Sequence, residues 1–240
     1  MNPAASVRTA RLVGAEALAK IEASHVLVVG VGGVGSFAAE ALARGGVGTL
    51  TLLDFDRVAI SNINRQLVAL TSTIGMLKTD VMRNRILDIN PEAVVNVINM
   101  KYAPETADDV DLTAYDYVVD AIDMVVSKVE LIVRAKNAGV PIISAMGAGN
   151  KLDPTLFRVT DLFSTENCPL ARILRKRLRK RGVDSLEVVF SPEMAREPLV
   201  EEDLGAPAKG RRAPGSLSFV PSVAGLILAG TVIKRLAGEG

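Results

Sequence analysis

His25-Val-Leu-Val-Val-Gly30-Val-Gly-Gly-Val-Gly35-Ser-Phe-Ala-Ala-Glu-Ala-Leu-Ala-Arg44 is the stretch that decides the fold. Its first part is apolar and β-branched, without polar alternation, the pattern of a strand buried on both faces of a parallel sheet. Four glycines follow, Gly30, Gly32, Gly33 and Gly35. From Ser36 to Arg44 the residues are good helix formers with no Pro or Gly, so a helix opens directly after the turn. A glycine turn between strand and helix lets backbone approach a phosphate, and the helix N-terminus supplies N–H donors and partial positive charge.

Thr49-Leu-Thr-Leu-Leu53 repeats the strand pattern and ends at Asp54, with Asp56 close behind. A carboxylate about 20 residues past the glycines accepts hydrogen bonds from ribose hydroxyls in such folds. Glycines and Asp54 alone fit NAD as well as ATP, so an NAD-binding oxidoreductase is one reading. Asn62 and Arg65, in Ser61-Asn62-Ile-Asn-Arg65-Gln66, favour ATP. A nicotinamide site gains little from an Arg aimed at the end of a phosphate chain. An ATP site gains much, because charge builds on the departing pyrophosphate. Lys78 opens the helical stretch 78–90 and adds a second cation. Asp123 lies beyond the strand Tyr117-Val-Val-Asp120, where a carboxylate facing triphosphate is poorly placed unless it holds Mg²⁺.

Strand patterns fall near 25–30, 49–54, 94–99, 117–120 and 141–145, with helical stretches between them. The alternation predicts an α/β, Rossmann-like fold: a mostly parallel sheet with helices on both faces and ligand at the carboxyl ends of the strands. A C-terminal extension with antiparallel strands is expected at 157–160 and 186–190.

Gly30-x-Gly32-Gly33-x-Gly35, Asp54-Phe-Asp56, Ser61-Asn62-Ile-Asn-Arg65-Gln66, Lys78 and Asp120-Ala-Ile-Asp123 together resemble the ubiquitin-activating-enzyme-like adenylyltransferases, which include the HesA, MoeB and ThiF proteins. The resemblance is close over residues 8–148 and implies ATP-dependent adenylation of a carboxylate. It implies that Asp54 binds the ribose and that Asn62, Arg65 and Lys78 hold phosphates. The glycines, Asp56, Ser61 and Gln66 would complete the nucleotide site, and Asp123 would coordinate Mg²⁺. It further implies a homodimer in which Arg11, of Arg8-Thr-Ala-Arg11-Leu12, reaches the triphosphate bound by the other copy. A single adenylation domain then covers residues 1–240, with a core over 20–150 and a substrate, tRNA and dimer extension over 151–240.

Gly147-Ala-Gly149, Asp153-Pro154, Val159-Thr160-Asp161-Leu162, Pro169-Leu170-Ala171 and Val189-Phe190-Ser191 are similar to the tRNA threonylcarbamoyladenosine dehydratase branch of that family. Its members use ATP to cyclise the threonylcarbamoyl group on an adenosine beside the anticodon. The similarity implies the tRNA anticodon region as partner and leaves room for a cysteine desulfurase or sulfur acceptor. The alternative within the family is adenylation of the C-terminal glycine of a ubiquitin-like sulfur carrier. Many of those relatives hold zinc with four Cys, and one Cys in 240 residues excludes a Cys₄ site within this chain. Cyclisation needs no enzyme thiol, since the nucleophile already sits in the modified nucleoside. Cys168 accordingly reads as an incidental loop thiol, and His25, which opens the first strand away from the ligand edge, as structural.

Arg172-Ile-Leu-Arg-Lys-Arg-Leu-Arg-Lys-Arg181 carries seven cations and no acid. As a helix it gathers Arg172, Arg175, Lys176, Arg179 and Lys180 into a stripe, with Ile173, Leu174 and Leu178 on the opposite face. Like charges at this spacing oppose an isolated helix, and a polyanion such as RNA offsets them. The chain's net charge is only +1, so any attraction to RNA is local. One Cys and the absence of an apolar leader core fit a cytoplasmic protein. Residues 195–216, rich in Glu, Gly, Pro and Arg, read as a mobile surface loop. Val220 to Leu236 is apolar, but its uninterrupted core of about a dozen residues is short of the ~20 that span a bilayer. It reads as a buried helix or dimer element, with Gly225 and Gly230 at close packing, rather than a membrane anchor.

Overall fold

The apolar runs form strands: β1 (His25–Val29), β2 (Thr49–Leu53), β3 (Val94–Ile98), β4 (Tyr117–Asp120), β5 (Ile142–Ala145), β6 (Arg158–Asp161) and β7 (Glu187–Phe190). The structure, a computed structural model that describes residues 1–197, 199 and 214–239, joins them into one sheet of order β3-β2-β1-β4-β5-β7-β6. β1 pairs in parallel with β2 on one side and β4 on the other. The chain therefore steps outward to β3, then returns past β1 to build the other half. That reversal leaves a crevice at the carboxyl ends of β1 and β4, the usual ligand position in doubly wound sheets.

The helices are α1 (Pro3–Val13), α2 (Ala15–Ala23), α3 (Gly35–Gly45), α4 (Lys78–Ile89), α5 (Val125–Asn137), α6 (Pro169–Arg179) and α7 (Phe219–Ala237). Side chains alternate across the sheet, so Val26 and Val28 join a core built with α3, α4 and α7. Leu27 and Val29 join a second core built with α5 and α6. Both faces of β1 are thus covered, which is why its sequence shows no polar alternation.

The extension carries the expected antiparallel pair, β6 against β7, at one edge of the sheet. Only β6 is antiparallel; β7 runs parallel to β5, with Ser144 opposite Val188. The antiparallel β6 returns the chain to the starting edge of the sheet, with Asp161 at its end opposite Glu187 at the start of β7, and α6 lies in the connection between the two. At the start of β1, the His25 ring nitrogen Nε2 stands 2.8 Å from Thr51 Oγ1, and the ring packs edge-on against Tyr115. His25 is remote from the crevice, as its place in the sequence indicated.

α7 is long and apolar enough to cross a membrane by length and composition. Here Val220, Ala224, Leu228, Ala229 and Val232 enter the first core beside α3. Gly225 makes that approach possible, since a Cβ there would stand 2.3 Å from the Val34 carbonyl oxygen. Gly230 does not share the role, because outside its own helix backbone no described residue lies within 4 Å of its Cβ position. Of the stretch 195–216, residues 198 and 200–213 lie outside the described residues. Its described flanks meet at Asn150, whose N–H donates to Gly215 O at 2.7 Å and whose carbonyl accepts from Arg196 N at 2.8 Å.

The two glycines of α7 give opposite expectations. Gly225→Ala forces α7 off α3 and costs about 1–3 kcal/mol. Gly230→Ala gains helix propensity without a clash and stabilises by roughly 0.5–1 kcal/mol. Urea unfolding midpoints of the two variants check both signs.

Candidate active site

The glycine turn occupies the crevice between β1 and α3. Gly30 adopts φ +90°, and a Cβ there would come within 2.8 Å of Ala121 O. At Gly35 a Cβ would fall 1.8 Å from Gly30 O, so no other residue lets α3 start there. Ser36, fully buried, donates from Oγ to Gly32 O at 2.6 Å and accepts from Leu67 N at 3.3 Å. The turn is thereby stitched to the loop that follows β2. Asp54, at the end of β2, accepts from Val31 N at 2.7 Å through Oδ2 and from Asp56 N at 2.8 Å through Oδ1. Its carboxylate first fixes the glycine turn, and each oxygen keeps a lone pair for a ligand.

Ser61, Asn62, Arg65 and Gln66 follow in a short 3₁₀ turn (Ile60–Asn62) and the residues after it. Asn62 Oδ1 accepts from Ala59 N at 3.1 Å, and Arg65 Nη1 donates to Ser61 O at 2.8 Å and to Asn64 Oδ1 at 3.0 Å. Among the described residues Arg65 has no carboxylate partner. Gln66 lies against the glycine turn, its Nε2 3.8 Å from where a Gly32 Cβ would stand. Its buried Oε1 has no hydrogen-bond partner among the described residues. Lys78, the first residue of α4, is buried and donates from Nζ to Asp56 Oδ2 at 2.7 Å. The Asp56 side chain is half exposed. Glu40 on α3 ties α4 in place by accepting from Arg85 at 2.7 Å. Burial opposes ionisation of Glu40, but hydrogen bonds from Arg85 and Arg44 outweigh it and hold the carboxyl below its usual range.

Asp123 stands exposed in the loop between β4 and α5, with no hydrogen bond among the described residues. No cluster of three His, Cys, Asp or Glu side chains able to cage a metal occurs among them. A lone carboxylate at the edge of a phosphate cradle fits Mg²⁺, which keeps much of its shell from phosphate and water. The cradle fits a nucleotide: its floor lacks room for Cβ atoms, and Gln66 brings an unpaired acceptor to its wall. Arg11 lies apart on α1, exposed, with no bond to the other site residues among those described.

The structure gives Asp120 of the Asp120-Ala-Ile-Asp123 motif a partner that sequence reading missed, Lys128, and adds Lys151. Asp120 and Lys128 form an ion pair with Ser144 beneath the Asp123 loop, all three fully buried. The one available signal was Lys128 amid the apolar positions Val125, Val129 and Ile132. Lys151, beyond β5, donates to Ser191 O at 3.3 Å and also contacts Glu193 O. Burial pushes its ammonium below the usual range. Cys168 is buried in the second core at the start of α6.

The basic stripe needs one correction. Arg172, Lys176, Arg179 and Lys180 are exposed, as is Arg177. Arg175 is not free: its Nη1 donates to Thr165 O at 2.8 Å and contacts Thr165 Oγ1. It turns inward because Ala171, Leu174 and Leu178 set the buried face of α6, and Arg175 borders that face. Arg179 lies over the Phe163 ring at 4.9 Å, which supplies the aromatic the helix itself lacks.

The ThiF family model matches residues 5–240, and the chain belongs to the ThiF family. It is 47% identical over 231 residues to a tRNA threonylcarbamoyladenosine dehydratase of Bacillus subtilis, covering 93% of this chain and 91% of that one. With the Escherichia coli protein of the same name identity is 37% over 248 residues, with 96% and 92% covered. The crystal structure of the E. coli dehydratase in complex with ATP superposes with a TM-score of 0.86 at 36% identity, covering 98% of this chain and 95% of that one. A molybdopterin-synthase adenylyltransferase of Haemophilus influenzae is 34% identical over 72% of this chain and 69% of its own length.

Ser36→Ala removes a buried donor and acceptor that join the glycine turn to the 66–67 loop. The variant is expected to lose about 1–3 kcal/mol, with faster amide exchange at Leu67. Exchange mass spectrometry and urea unfolding measure both.

Proposed function

We propose that the chain is an ATP-dependent tRNA threonylcarbamoyladenosine dehydratase. The observation that carries this reading is the convergence of the glycine turn, Asp54 and Arg65 at the sheet's switch point, in a chain alike end to end with such dehydratases. Backbone N–H groups of Gly30 to Gly35 and the α3 N-terminus receive phosphate. Asp54 takes ribose hydroxyls on the lone pairs its backbone contacts leave. Asn62, Arg65 and Lys78 hold the phosphates, with Lys78 leaving the half-exposed Asp56, and Ser61 and Gln66 close the wall. Mg²⁺, when bound, neutralises phosphate charge, and Asp123 is its carboxylate.

In this reading the threonyl carboxylate attacks the α-phosphorus of ATP and pyrophosphate leaves. A nucleophile of the same nucleoside then attacks the activated carbonyl. AMP departs with one carboxylate oxygen, and the nucleoside has lost water. Proximity within one nucleoside replaces an enzyme nucleophile, consistent with a buried Cys168. Exposed cations of α6 hold the anticodon arm by its phosphates. A tRNA substrate places the enzyme in the cytoplasm. A cysteine desulfurase or sulfur acceptor is carried by family resemblance alone, and no residue here is assigned to it. A sulfur-carrier tail is the second reading, favoured by the likeness to molybdopterin-synthase adenylyltransferases. NAD chemistry leaves Arg65 and Asp123 without a task.

The deciding assay is AMP release from Mg²⁺-ATP with tRNA that carries or lacks the threonylcarbamoyl group. Stimulation by the modified tRNA only, with loss of one water from the nucleoside, is expected. Asp123→Ala should fold normally and lose about 100-fold or more in AMP formation. AMP release indifferent to tRNA would move the assignment to a protein tail.

The homodimer is part of the same proposal, with the partner's Arg11 completing each site. Leu12, 86% exposed beside Arg11, is an apolar residue that a second copy would cover. Arg11→Ala and Asp123→Ala are each expected to be inactive alone. Mixed and allowed to exchange subunits, they should recover about one quarter of wild-type activity, since half the dimers then hold one intact site of two. No recovery on mixing would place Arg11 in its own chain's site or outside catalysis.

A further inference from the structure

Among the described residues, Lys128 and Asp120 form the one ion pair whose two side chains are both fully buried. Asp120 Oδ2 accepts from Lys128 Nζ at 2.7 Å and from Ser144 Oγ at 2.6 Å, and Lys128 Nζ also donates to Ser144 Oγ at 3.0 Å. Attraction inside a protein barely offsets the loss of water around two charges, and apolar replacements of such pairs often leave stability unchanged or higher. Stability therefore does not explain the cluster.

Its location does. Asp120 is the last residue of β4, and Lys128 stands in the first turn of α5. Between them lies the loop 121–124 that carries Asp123. Asp120 Oδ1 accepts from Ile122 N at 3.1 Å. Ala121 N donates to Val29 O, and Lys128 N to Met124 O, each at 2.9 Å. The Ala121 carbonyl presses on Gly30, where even a Cβ would come within 2.8 Å of its oxygen. The loop is therefore pinned between the glycine turn on one side and the buried carboxylate on the other. Asp123 is its exposed residue. Without the Lys128 ammonium, Asp120 would be an uncompensated buried charge, free to seek water through the same loop.

We infer that Lys128 is a positioning residue: through Asp120 and Ser144 it fixes the loop 121–124 and so sets where Asp123 stands at the nucleotide. The link to metal rests on the proposed role of Asp123; the link to loop order does not. Partners that orient a metal ligand from behind typically govern metal affinity by 10–100-fold, and Lys128 would be such a partner at one remove.

The test compares wild type with the double variant Asp120→Asn/Lys128→Met, which removes both charges and keeps side-chain size, and with Ser144→Ala, which removes one donor to Asp120. Three readouts are taken on the full chain: urea unfolding, amide exchange at Ile122 and Asp123, and AMP formation against Mg²⁺ concentration. The double variant is expected to unfold near the wild-type midpoint. Its loop amides should exchange about tenfold faster or more, and its half-saturating Mg²⁺ should rise about 10–100-fold, with ATP binding in EDTA unchanged. Ser144→Ala should shift both quantities in the same direction by less. Wild-type loop exchange and wild-type Mg²⁺ demand in a folded variant would overturn the inference, and Ser144→Ala decides it if the double variant does not fold. A wild-type enzyme whose AMP formation ignores Mg²⁺ would instead remove the metal role of Asp123. The exchange readout, which needs no nucleotide, would still judge Lys128.

Discussion

The Asp54 carboxylate accepts the Val31 amide at 2.7 Å, and the arrangement of the crevice depends on that contact. It requires β1 and β2 to end together, which their in-step pairing from His25–Thr49 to Val29–Leu53 provides. It requires the chain to turn back sharply after Val29, which the positive φ of Gly30 provides. It also requires α3 to start against Gly30 O, where a Cβ at Gly35 has no space. Gly30, Gly35 and Asp54 thus tie together two strands, a turn and a helix. Each would be ordinary alone; the shared hydrogen bond makes them one rigid cradle.

Charge in the crevice follows a consistent division. Cations placed for structure are committed to acids, as Arg85 and Arg44 are to Glu40. Among the described residues, the cations that the proposed function assigns to phosphate are not, or pair with an acid that solvent reaches. Among the described residues Arg65 bonds only neutral oxygens, and Lys78 pairs with an Asp56 that water can still reach. A phosphate arriving at such a site meets donors already oriented, so little reorganisation opposes the reaction. The unpaired Gln66 Oε1 belongs to the same pattern, since a buried acceptor without a donor is costly unless a ligand or water completes it.

Most of the sheet was legible because parallel strands buried on both faces write themselves as unbroken apolar runs. The direction of β7 was not legible, since Glu187–Phe190 reads as a strand whichever way it runs. The four glycines could be read as a turn from their spacing between strand and helix, whereas Gly225 and Gly230 could not be told apart. One meets the Val34 carbonyl and the other, outside its own helix backbone, meets no described residue, a difference made by tertiary packing alone. Arg175 shows the limit of helical periodicity. Its position borders the apolar face, and only the Thr165 oxygens waiting there decide that it turns inward. The pairing of Asp120 with Lys128 escaped notice for a related reason: a buried ion pair requires two elements to meet, and neither residue announces the other in sequence.

α6 raises a separate constraint. Its exposed cations sit on a chain whose net charge is only +1, so the long-range field gives little pull toward RNA and the near field gives most of it. Such a surface binds a polyanion only when the helix faces it, which converts a non-specific attraction into an orienting one. Arg181, at the far end of the stripe, leans back onto Glu130 of α5 at 3.4 Å, and Arg179 rests on Phe163. Those contacts fix side chains that would otherwise lose rotamer freedom on binding. The helix lies between β6 and β7, and its inner face, Ala171, Leu174 and Leu178, is buried in the second core, so the exposed cations are held at a fixed place relative to the sheet.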